Sequence, residues 1–87
     1  MRLAKFVKFR EETFGGVLFE TRSEKGFTLN PTAAAVVREI QAGCAEREIA
    51  GRLKDRFDDP DGSIEREVAA LLAELRARGL VEDAPHG

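Results

Sequence analysis

Eighty-seven residues, 43% hydrophobic and 34% charged, suit one compact soluble domain and leave no room for a second. The net charge of −2 is uneven: residues 1–30 hold six Lys/Arg against four Asp/Glu, and residues 31–87 hold eight against twelve. A helical half at −4 argues against a phosphate-backbone partner, which selects for a basic excess.

No apolar run nears the roughly 18 residues of a membrane span. Met1-Arg2-Leu3-Ala4-Lys5 runs straight into alternating structure, so no secretory signal is expected. The lone Cys44 excludes an internal disulfide and suits a reducing cytoplasm.

Residues 3 to 10 alternate, which predicts a strand with Val7 and Phe9 on the core face. Glu11 to Gly16 read as a turn, and Val17-Leu18-Phe19-Glu20-Thr21 as a second strand. Arg22 to Gly26 make a second turn before a short third strand, Phe27-Thr28-Leu29. Tight connections between short strands predict an antiparallel meander.

Asn30-Pro31 pairs a favoured N-cap with a favoured first helical residue, so a helix starts there. Its stripe is Ala33, Val36, Val37 and Ile40, and Gly43 stops it. A second helix is expected from about Ala45 to Phe57, with Ile49, Leu53 and Phe57 on one face. After the Asp58–Gly62 loop, a third runs from about Ser63 to Arg78 and buries Ile64, Val68, Leu71, Leu72 and Leu75. Gly79 ends it, Leu80-Val81 fold back as an apolar lid, and residues 82–87 fray. The expected ordered core is therefore about 3–81, an α+β domain of a three-stranded antiparallel sheet followed by three helices, in the order β-β-β-α-α-α.

Catalytic chemistry is hard to find. His86, the only histidine, stands at the chain end, where a general base lacks support. Cys44 reads as a small residue at the cap of the second helix, with no histidine to activate it. Asp58, Asp59 and Asp61 before Gly62 suggest a calcium loop, but Phe57 occupies the first ligand position. No phosphate loop or paired-cysteine metal motif is present, so no catalytic residue, cofactor or metal is expected.

What remains is binding surface. An open meander exposes unpaired edge N–H and C=O groups. Phe27–Leu29 offers such an edge beside the third helix, so an extended peptide could add there as a fourth strand. One flank of that helix carries Glu67, Glu74 and Arg78 and reads as solvated. The other carries Ala69, Leu72, Ala73 and Arg76, where the small side chains leave space for a guest and one guanidinium sits near the end. Alanines also fill helix surface cheaply, so periodicity alone leaves both readings of that flank open.

Leu29-Asn30-Pro31-Thr32-Ala33, then Ile40-Gln41-Ala42-Gly43, then Glu48-Ile49 and Leu53, resemble the PqqD-like family. These are small peptide chaperones also called RiPP recognition elements. The segment Phe9 to Phe19 resembles members that serve radical-SAM maturases, and the similarity spans about residues 5 to 81. The resemblance implies a winged-helix-like fold in which a precursor's leader peptide pairs with the third strand, at Gly26, Phe27, Thr28 and Leu29, and lies against the third helix. The helix residues, Ala69, Leu72, Ala73 and Arg76, are chosen by wheel geometry. Leaders in such systems are often acidic, so Arg76, Arg66 and Lys25 would supply complementary charge. The implied partners are the leader peptide and a radical-SAM or other modifying enzyme, with no nucleic acid and no membrane.

The main rival is a DNA-binding winged helix, suggested by Glu48–Leu53 and Ala69–Val81. There a hairpin wing follows the last helix, whereas six residues follow Val81 here, and the would-be recognition helix balances Glu65, Glu67 and Glu74 against Arg66, Arg76 and Arg78. A third reading is an oligomerising subunit whose sheet edge pairs with its own copy, so the protein is expected to be a monomer or a homodimer.

Overall fold

The computed structural model describes residues 1–83; His86 lies outside the described residues, as does most of the segment expected to fray. The order is β1 (Arg2–Leu3), β2 (Val7–Glu12), β3 (Gly15–Glu20), β4 (Lys25–Leu29), α1 (Pro31–Gln41), α2 (Glu46–Lys54), α3 (Ser63–Ala77) and β5 (Val81–Glu82). Strands β2-β3-β4 form the expected antiparallel meander, and three helices follow it.

The first strand is broken where the sequence predicts one continuous run. The Val7 N–H donates to the Ala4 carbonyl, closing a turn between β1 and β2. This frees Leu3 to pair with Val81 and Arg2 with Glu82, a ladder reinforced by an Arg2–Glu82 ion pair of 2.8 Å. Glu82 is thus paired rather than frayed. Residues 11, 12, 15 and 16, expected in a turn, belong to the ladder, which leaves a two-residue loop at Thr13-Phe14. Gly15 is required there, because a Cβ would come within 2.2 Å of the Leu29 carbonyl oxygen.

The helix boundaries follow local chemistry. Asn30 Oδ1 accepts from the Ala33 N–H at 2.8 Å, with Pro31 opening α1. After α1, Gly43 (φ 83) allows its own N–H to donate to Ile40 and that of Cys44 to Glu39. Cys44 precedes the cap of α2, which is Ala45, and Cys44 packs half-buried against the core. α2 ends at Lys54, short of Phe57, which remains half-buried beyond the helix. The Ile64 N–H donates to Asp59 Oδ1 at 3.2 Å, so the acidic loop caps α3.

One core joins the layers. Leu18, Ile40, Ile49, Leu53, Leu80, Val36 and Val37 are its largest fully buried side chains. Leu80 reaches it through the turn after α3, where the Gly79 N–H donates to Arg76 and the Leu80 N–H to Leu75. Burying a Leu or Ile contributes about 1.5–3 kcal/mol. Five such residues outweigh any of the surface pairs in holding the sheet to the helices. Leu71, expected in the core, is only partly buried.

Candidate functional site

The register of the sheet decides which backbone groups of β4 are free. The Thr21 N–H donates to the Phe6 carbonyl at 2.9 Å, just beyond the paired ends of β2 and β3. Antiparallel ladders alternate bonded and non-bonded pairs, so odd-numbered residues of β3 bond to β2 and even-numbered ones to β4. Gly16, Leu18 and Glu20 therefore bond Leu29, Phe27 and Lys25, their register partners. Gly26 and Thr28 direct their N–H and C=O groups outward, along an edge that no other strand among the described residues covers. Both are exposed, as an edge available to a guest requires.

Beside that edge lies a groove of about 370 Å³. Gly26 to Leu29 form one wall, and Leu71 and Glu74 of α3, with Arg78 at its C-cap, form the other. Leu18, Leu75 and Leu80 provide an apolar floor. One way, the groove continues past Asn30 and Ala33 into a stretch bounded by Thr32, Val36, Glu67 and Ala70. The other way, it opens into a recess lined by Glu20, Ser23, Lys25, Phe27, Arg78 and Leu80. The three share residues end to end, so one elongated channel follows α3, with β4 as its other wall and α1 taking over past Asn30.

Two devices shape the mouth. The Arg78 guanidinium sits 5.0 Å from the centroid of the Phe27 ring and is held by Glu74 at 3.0 Å. That places a cation over an aromatic face at the rim. The Glu20 carboxylate accepts from the backbone N–H groups of Arg22 and Ser23 at 2.9 and 3.0 Å, fixing the turn that leads into β4. Hydrogen bonding from Ser23 and Arg22 to the charged form lowers the Glu20 pKa to about 2.

The structure brings together Gly26, Phe27, Thr28 and Leu29, with Lys25 at the channel mouth, but not the expected helix residues. Ala69, Leu72, Ala73 and Arg76 lie on the opposite flank of α3, around a hollow facing Glu46, Arg47 and Ala50 of α2. Leu72 is buried, at 4% exposure. Arg76 is not a spare cation. Both of its terminal nitrogens meet the Glu46 carboxylate, at 2.6 and 2.7 Å, and one lies 3.6 Å from Asp83. The pair holds the Glu46 carboxyl below its ordinary pKa and the guanidinium above its own. Arg66 is exposed and lines neither the groove nor that hollow. The wheel puts it directly opposite the buried stripe.

The residues that do wall the channel are Leu71, Glu74 and Arg78, two of which the helical wheel places on a solvated face. Leu71 carries a usable signal, an apolar residue at the margin of the stripe. The short Gly79 turn carries another, by directing Leu80 into the same groove.

The family model for Coenzyme PQQ synthesis protein D (PqqD) matches residues 15–81, which span β3 through the start of β5. The chain belongs to the PqqD family. Among solved structures, this PqqD-family chain is similar to a lasso peptide synthetase B1 complexed with the leader peptide. The identity is 28% over 94% of this chain and 96% of that one, with a TM-score of 0.79. It also shares its fold with TbiB1 in complex with the TbiA(beta) leader peptide, at 17% identity, 99% and 100% coverage and a TM-score of 0.82. No curated protein sequence is similar enough to count as a match. The expected family and fold are thus both found, and none of these likenesses points to DNA.

Among the described residues, no three His, Cys, Asp or Glu side chains converge to hold a metal, and no helix is long and apolar enough to cross a membrane.

Proposed function

We propose that this PqqD-family chain binds the leader segment of a ribosomally made precursor peptide and presents it to a separate modifying enzyme. The leader joins the sheet as a fourth strand on β4, in the channel beside α3. One observation carries this reading: the unpaired N–H and C=O groups of Gly26 and Thr28 border an apolar-floored groove. Main-chain bonds to those groups supply affinity without regard to sequence, each contributing about 0.5–1.5 kcal/mol net. Specificity comes from alternate leader side chains that enter the groove between Phe27 and Leu71.

In this reading the chain is a single, non-catalytic domain, and it meets its partners in the cytoplasm. The enzyme is the radical-SAM maturase implied by the resemblance of Phe9–Phe19. The 28% identity to a lasso peptide synthetase B1 favours a second reading, in which the partner is an enzyme of a lasso-peptide system. Co-purification with each candidate enzyme, with and without leader, separates the two. The β4 edge serves either a guest or a sister copy, so concentration-dependent mass measurement should show leader and self-association competing if the chain dimerises there.

The direct test is calorimetric titration with the leader half of the short peptide encoded beside the gene. Binding tighter than about 100 μM, or at least about 5.5 kcal/mol, is expected. Its absence would overturn the reading.

A further inference from the structure

A strand added to β4 presents side chains alternately to both faces of the sheet, so the channel receives only half of them. The other half lies on the outer face, in the row of Gly26 and Thr28. Gly26 pairs with Phe19, and Phe19 is 41% exposed although it is a large aromatic side chain. The backbone does not demand glycine at 26. Its φ is not positive, and a Cβ there would make ordinary contacts, 3.8 Å from Val17 Cγ1 and 4.0 Å from Phe19 Cδ2.

Glycine within a strand is less stable than alanine, and often marks a place where another chain approaches. The missing side chain leaves a notch on the outer face, bordered by the Phe19 ring and Val17 and open towards the free edge of β4. We infer that this notch is a second leader subsite, on the face of the sheet opposite the channel. It takes a bulky apolar or aromatic leader side chain, carried by the residue that pairs with Gly26. That side chain crosses the glycine and covers the exposed part of the Phe19 ring. The subsite rests on strand addition as proposed above, and reads leader residues of the opposite parity from those in the channel. The alternative role for Phe19 is purely structural, an aromatic ring shielding a glycine of the neighbouring strand.

The test is calorimetric titration of the full chain with the same synthetic leader peptide, comparing wild type, Phe19→Ala and Phe19→Leu. Phe19→Ala should weaken binding roughly three- to tenfold, the range expected for one aromatic contact, and Phe19→Leu by less. The Phe19→Ala penalty should disappear when the leader residue opposite Gly26 is itself alanine. In the wild-type complex, nuclear Overhauser contacts should join that leader side chain to the Phe19 ring, a readout that survives if Phe19→Ala fails to fold. If the ring shows no such contact, or folded Phe19→Ala binds as wild type while Leu71→Glu does not, the outer subsite is wrong and the channel reading stands. Failure of the wild-type chain to bind the leader overturns both.

Discussion

The two flanks of α3 differ in what the rest of the chain does with them. On one flank α2 packs alongside, and charges cross between the helices: Arg76 to Glu46 at 2.6 Å and Lys54 to Glu65 at 2.8 Å. On the other, β4 stands off and leaves a channel between Phe27 and Leu71. Both flanks mix small, apolar and charged residues, and both are partly exposed. Side-chain type does not make one a binding face; the position of the neighbouring element does. A helix with a ladder of ion pairs across it is already occupied, whereas a strand with outward N–H groups is not.

The contrast is broken most severely by Leu71→Glu. A carboxylate in the apolar channel must be desolvated when the leader arrives, and affinity should fall about a hundredfold by calorimetry. Because Leu71 is only partly buried, the fold should survive by circular dichroism. Thr28→Pro comes next. It removes one outward donor at an edge position that tolerates proline, so affinity should drop about tenfold in a still-folded protein. Arg76→Glu acts on the other flank. It replaces a two-pronged ion pair by repulsion with Glu46, at side chains 44% and 42% exposed. Solvent screening keeps the loss small. The melting temperature should fall by a few degrees, with leader affinity unchanged; a loss of affinity would put the guest on the α2 side after all.

The smallest effect is at Glu20. Its pKa is lowered from 4.5 to about 2 in the folded chain, so the unfolded chain takes up the proton first as pH falls. The ordering of the β3–β4 turn is therefore fully present above about pH 4.5 and lost between there and pH 2. The protection of the Ser23 amide, its exchange relative to the intrinsic rate at each pH, should fall across that window, and Glu20→Gln should remove the dependence.

Much of the fold is legible in the sequence because it is written locally. Asn30-Pro31 opens α1, Gly43 and Gly79 close α1 and α3, and the alternation around Leu18 and Phe27 lays out the sheet. The break in the first strand is not legible. It exists because Leu3 pairs with Val81, nearly a full chain length away, which the pattern over residues 3 to 10 does not encode. The strand half of the candidate site could be found from the sequence, since a short third strand beside a helix start exposes an edge. The helix half could not. A wheel yields the buried stripe around Val68 and Leu75, but it does not say which side α2 takes. Ala69 and Ala73 read as room for a guest, although they border the hollow facing α2.

Amide hydrogen exchange, read residue by residue with and without saturating leader peptide, tests most directly whether a leader strand completes β4 through Gly26 and Thr28. In the free protein Gly26 and Thr28 should exchange quickly, while Phe27 and Leu29, bonded to β3, are protected. With leader bound, Gly26 and Thr28 should slow by at least tenfold. A bound leader that leaves both amides exchanging at their free rate would contradict strand addition at this edge.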